Sequence, residues 1–252
     1  MEIVNVLDKE IVSGLSITRL GFSHLPYDKD YNLGLFFKES ENKIDIISYG
    51  IDYDYRKYNP ISLSKEYFRA GIHFKEIDRI LYKIFNDRII SKDTPTHSFY
   101  INHPITINEI LAPNITTDTL HTIVYADNTI MKHELERVII ETDGFINEYY
   151  IPFFSEFQSL QDINDKILDK EEFANYHKYI FGETGAKVLI IMKLCNSNKY
   201  QEYKKWSDNI IAKQIADPMY EDYKDILINQ QAIMDKLYNY LESGAYKNLL
   251  KE

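Results

Sequence analysis

One cysteine, one tryptophan and no long apolar run define what this chain does without. With Cys195 alone, neither an internal disulfide nor a thiolate metal cluster can form, and a reducing compartment is the natural setting. No stretch approaches the roughly 18 apolar residues that a membrane span needs. The opening MEIVNVLDKE has neither the basic start nor the apolar run of a signal peptide, so the expectation is a cytoplasmic protein with no membrane partner. Basic residues are outnumbered, 29 Lys and Arg against 39 Asp and Glu, for a formal charge of −10. Neither part of the chain escapes this balance: it is 14 against 18 up to Ile130 and 15 against 21 beyond it. A protein that tracks phosphates needs clustered Lys and Arg, so nucleic acid is not an expected partner.

Catalytic signatures are missing too. No HExxH occurs, and after His133-Glu134 an arginine, Arg137, stands where the second histidine belongs. No GxSxG elbow occurs. The stretch from Gly182 to Lys187 falls short of a phosphate loop. Two residues separate its glycines instead of four, and Val188 occupies the place of the magnesium-holding hydroxyl. Gly182 as a turn and Thr184 as a helix cap explain it better. Cys195 follows the apolar run LIIMKL, which raises a thiol pKa and argues for a core residue. Seven histidines are scattered along the chain; His97 and His103 flank an expected strand and could converge with His121, but any seven histidines offer such triples, and no metal or other cofactor is expected.

What the chain does have is size, aromatics and period. At 252 residues it is long enough to bury a large core, and 21 Tyr with 13 Phe supply rings suited to half-buried surfaces and contacts. Ile3, Val6, Leu7, Ile11 and Leu15 recur at helical spacing up to Gly21. Residues 22–32 read as turn-rich. LGLFFKE and KIDIISYGIDYDY read as two strands around a turn at residues 40–43. Further extended runs are expected over 67–74 and 98–107, a helix over 76–85, and a loop over 108–119. A long helix from His133, striped by Leu135, Val138, Phe145 and Ile146, should stop at Pro152 and hand on Phe153, Phe154 and Phe157. Helical segments over 160–168, 184–194, 200–215 and 219–241 follow. The fold class is therefore α+β. An N-terminal mixed strand and helix half (1–130) with a mainly antiparallel sheet leads into a helical half (131–252), a bundle or hairpin, opened by the long central helix.

Several short motifs stand in an order that resembles a known family. They are Leu20-Gly21-Phe22, then Tyr150-Ile151-Pro152-Phe153-Phe154, Leu160, Ala186-Lys187 and Tyr200-Gln201-Glu202-Tyr203. Over residues 3–215 this arrangement resembles uncharacterised bacterial domains of the polymorphic-toxin immunity type. The resemblance implies a non-enzymatic protein that neutralises a cognate toxin by occluding it, with a basic toxin domain as partner, and it carries over no catalytic residue. Read from the residues themselves, the contact patch is Asp52, Asp54, Tyr55 and Tyr58, where acidic and aromatic side chains alternate at the end of a strand. Two other classes compete: a hydrolase or transferase whose site is assembled from distant His, Asp and Glu residues, and a helical scaffold that oligomerises through residues 219–241.

Overall fold

A computed structural model of the chain describes residues 3–28, 33–51, 61–63, 68–85, 121–125, 129–180 and 182–251. They fall into two compact units. The first takes the described residues up to His73 together with those from 121 to Glu156, and the second takes those from Phe74 to Phe85 together with those from Phe157 onward. The architecture is α+β, the sheets lying in the first unit.

In the first unit, α1 (Ile3–Gly14) buries the stripe Val4, Leu7, Asp8 and Ile11. A 3-10 turn, Ser16–Leu20, ends at Gly21, whose φ of 87° is left-handed backbone that glycine adopts without penalty. The four-stranded sheet has the order β1 (Ser23–Asp28), β2 (Leu33–Glu39), β3 (Lys43–Tyr49) and β5 (Phe68–Phe74), while β4 (Ile61–Leu63) pairs antiparallel with β6 (His121–Val124). The β2–β3 hairpin closes as its sequence predicts, the Ser40 N–H donating to the Lys43 carbonyl at 2.8 Å. β3 is buried along nearly its whole length, as befits a strand flanked on both sides.

Residues 23–28 depart from the expectation of a turn-rich stretch, because they form β1, antiparallel to β2. The register slips between Leu25 and Asp28, which puts Pro26 in an irregularity of an edge strand, where its missing N–H breaks no interior ladder. Pro152 overturns a second expectation. The helix α3 (Lys132–Phe145) does not stop there; it passes through a π turn, Ile146–Tyr150, and continues as α4 (Ile151–Glu156). The Ile151 N–H reaches back five residues to the Ile146 carbonyl. Widening the turn in this way lets the proline enter at the second residue of a new α segment, a first-turn position where no N–H is required. The N-terminal segment is fastened to this helix by Asp143, whose Oδ1 accepts the Ser16 N–H and hydroxyl, both at 2.7 Å.

In the second unit, α6 (Thr184–Leu194) is the central member. Val188, Leu189, Ile190, Ile191 and Met192 are all buried, so this helix is enclosed on every side rather than amphipathic. Around it stand α2 (Lys75–Phe85), α5 (Leu160–Ile163), α7 (Tyr200–Ala216) and α8 (Lys224–Glu242), with α9 (Tyr246–Leu249) closing the chain against α2. Gln201 meets Tyr238 and Asp208 meets Gln231, so α7 and α8 run antiparallel. Phe173, Tyr176, Tyr203 and Trp206 form a ring cluster with centroid spacings from 5.3 to 5.8 Å.

Candidate functional site

Asp52, Asp54, Tyr55 and Tyr58 lie outside the described residues, as do His97 and His103. Of the other histidines, His73 is buried at the end of β5, His133 is exposed at the start of α3, and the His177 ring lies 2.7 Å from the Ala174 carbonyl. His24 has the most elaborate surroundings. Its Nε2 is 3.1 Å from the Tyr49 hydroxyl and 3.3 Å from Asp8 Oδ1, and the Tyr49 hydroxyl donates to that same carboxylate oxygen. Helix α1 supplies the acid, edge strand β1 the imidazole and β3 the phenol. Burial works to raise the Asp8 pKa, but the bonds from His24 and Tyr49 and the backbone of Tyr27 outweigh it and hold the carboxyl low. Burial, then the Asp8 charge, pushes the Tyr49 phenol up. An ionised acid and a protonated phenol locked together in the core form a structural clasp, since no reactive tyrosinate is generated. Sequence reading passed over Asp8, yet a signal was present: a carboxylate standing inside the apolar stripe of α1.

Other buried ionisable groups are likewise engaged. Lys43 Nζ donates to the Phe154 carbonyl at 2.8 Å and pairs with Asp45 at 2.9 Å, tying β3 to α4. Burial raises the Asp45 pKa against the pull of Lys43. Lys187 is fully buried within α6, and burial lowers its pKa to about 6 despite the opposing charges of Asp78 and Glu183. Cys195 is only half-buried, at the C-cap of α6, rather than the core residue its apolar neighbours suggest, and burial pushes its thiol up to about 12. At the start of α6 the cap differs from expectation: Glu183 holds the N-cap position, and the Thr184 hydroxyl donates backward to the Ile180 and Gly182 carbonyls at 2.7 and 2.9 Å. Gly182 is the turn that its type suggests, with φ at 68°. A shallow pocket of about 360 Å³ opens beside this turn, with Glu183, Thr184, Ser207, Gln230 and Met234 in its wall.

The most unusual surface lies on the second unit. Asp217 accepts the Met219 N–H at 2.9 Å and Pro218 sets the first turn, so residues 218–223 wind as a 3-10 helix that leads into α8. On this corner Met219 is 73 % exposed, Tyr223 59 %, Ile226 64 % and Ile228 49 %. Ile210, near the end of α7, is exposed as well. Between these side chains stand Asp217, Glu221, Asp222 and Asp225, with Lys224 as the single basic residue in 217–228. Leu227 is buried and anchors the corner to the body, and farther along α8 Met234, Leu237 and Leu241 are buried too. This acidic and apolar corner is the candidate functional site.

Among the described residues, no group of three His, Cys, Asp or Glu side chains is placed to hold a metal ion, and no helix is long and apolar enough to cross a membrane. Compared with family models, with curated proteins and with solved structures, the chain matches none.

Proposed function

We propose that this chain is a non-enzymatic protein-binding protein that works in the cytoplasm, an immunity protein that silences a bacterial toxin by covering its working surface. The observation that carries the reading is the crowding of exposed apolar side chains at one corner. Five of the eight exposed large hydrophobic residues among those described fall between Ile210 and Ile228. Leaving such a side chain in water instead of burying it forgoes roughly 1.5–3 kcal/mol. Four of them lie within ten residues, and such crowding is a common mark of a contact surface, Tyr and Met being among the residues enriched in such contacts. With a net charge of −10 the partner is a protein rather than a nucleic acid. Asp52, Asp54, Tyr55 and Tyr58 are proposed, on sequence grounds, as a second contact patch.

The test is co-expression with the product of the neighbouring reading frame. A complex of defined stoichiometry in size-exclusion chromatography with light scattering, together with rescue of growth from that product, is the expected result. Absence of any complex, or turnover of a small compound by the purified chain, would overturn the reading.

A further inference from the structure

We infer that the corner formed by residues 217–228 docks a protein surface whose apolar centre is ringed by lysine or arginine. This rests on the protein-binding reading above and specifies where the partner sits and what it presents. The argument begins with charge. Four carboxylates and one ammonium stand among the exposed apolar side chains, and that ammonium, on Lys224, lies 3.4 Å from the Glu221 carboxylate, so its charge is met within the corner. An approaching surface therefore meets exposed Met219, Tyr223 and Ile226, at three- and four-residue steps, in a negative field. Three classes of occupant are disfavoured by that field. Nucleic acid and anionic lipid carry the same sign, and a second copy of this chain packed face to face would set the same carboxylates against themselves. A basic protein surface is drawn in by the field and held by apolar contact.

The corner is also ordered before any partner arrives. The Asp217 carboxylate caps the 3-10 turn, the Tyr220 N–H donates to the Asp217 carbonyl at 3.0 Å, and Leu227 is buried beneath. Side chains presented from a fixed turn and helix lose less freedom on binding than those of a loop.

The experiment uses the intact chain and a fluorescent amphipathic helical peptide built of Leu and Lys. The controls are a peptide with Glu in place of every Lys and a Leu/Lys peptide whose order destroys the apolar face. Binding is read by anisotropy at low and at physiological ionic strength. Two variants accompany it, M219S/I226S and E221K/D222K, all at exposed positions, with unfolding temperature as the check that each folds. The amphipathic Leu/Lys peptide should bind the parent chain and weaken as salt rises. It should lose roughly tenfold in affinity to either variant. The Glu peptide should bind the parent chain at least that much more weakly and gain on E221K/D222K. Equal binding of the Lys and Glu peptides, binding unaltered by both variants, or a dimer of the chain that M219S/I226S dissolves would overturn the inference. A complex with the neighbouring gene product that survives both variants sinks this surface and leaves the protein-binding reading standing. If that complex never forms while the variants still shift peptide binding as stated, the surface is supported and the immunity reading falls.

Discussion

Tyr49, in an inner strand of the four-stranded sheet, donates its phenolic hydrogen to the carboxylate of Asp8, and this bond ties α1 to β3. Replacing the phenol by Phe keeps the ring and leaves a buried carboxylate short of one donor. We expect Y49F to cost about 1–3 kcal/mol in urea unfolding at pH 7. The sign with pH follows from the depressed Asp8 pKa: its contribution is present above the unfolded-state value of 3.8 and is lost as pH falls through the folded value below it. The gap between parent and Y49F should therefore narrow as pH falls through the folded Asp8 value, where the carboxylate that accepts the phenol's hydrogen becomes protonated in the fold. A gap that stays constant to pH 2.5 or so would mean the bond contributes nothing through charge.

Gly34 faces Tyr49 across the β2–β3 ladder, and a Cβ built on it would land inside the phenol ring. The ring is held from the other side by Asp8 and is itself fully buried, so it has little room to give way. G34A should destabilise the fold by roughly 1–3 kcal/mol, as overpacked cores do, with the loss visible in thermal unfolding. The same substitution in a Y49F background should cost somewhat less, since the clash falls on the hydroxyl oxygen as well as on two ring carbons and only the ring carbons remain.

Lys187 gives the helical unit a pH dependence of the same sense in a higher pH window. Its folded pKa of about 6 lies below the unfolded value of 10.5, so between those limits the unfolded chain binds more protons and stability rises with pH. The slope from this group is at most about 1.4 kcal/mol per pH unit. K187M should remove that slope and raise stability at pH 7 by roughly 1–4 kcal/mol, as replacement of buried charge by a hydrophobe of similar shape often does. Denaturant titrations of parent and variant from pH 6 to pH 9 or so decide the matter; parallel curves would show that Lys187 stays charged in the fold.

Cys195 should be nearly inert in the folded chain. With its thiol pushed up to about 12, the thiolate fraction at pH 8 or so is on the order of a thousandfold below that of an unperturbed cysteine. Labelling with a disulfide reagent is expected to be slow in native buffer, to quicken roughly tenfold per pH unit and to become immediate in urea. Fast native labelling at neutral pH would show that its surroundings are looser than the buried helix around it implies.

Local pattern carried much of the architecture. The apolar period of Ile77, Ile80, Leu81 and Ile84 predicts α2, and all four are buried there. The two alternating runs about residues 40–43 predict the β2–β3 hairpin, because strand period and turn chemistry agree. Proline was misleading for one reason in two places. At Pro26 and Pro152 the missing N–H signals an end, but an edge strand with an irregular register absorbs the first and a π turn absorbs the second. The clasp of Asp8, His24 and Tyr49 joins residues up to 41 positions apart, beyond the reach of any periodic signal.

Period and composition by themselves determined where most of the described helices wind, that residues 33–49 form a hairpin, that the class is α+β, and that the chain carries a surplus of negative charge, since those properties depend on neighbours along the backbone. Tertiary structure alone decided which apolar residues find cover. Leu227 and Ile228 are adjacent and chemically alike, yet the first is buried against the body of the unit and the second faces water. The difference arises because burial is set by what packs on each face of a helix, a relation among distant segments that no local sequence window contains.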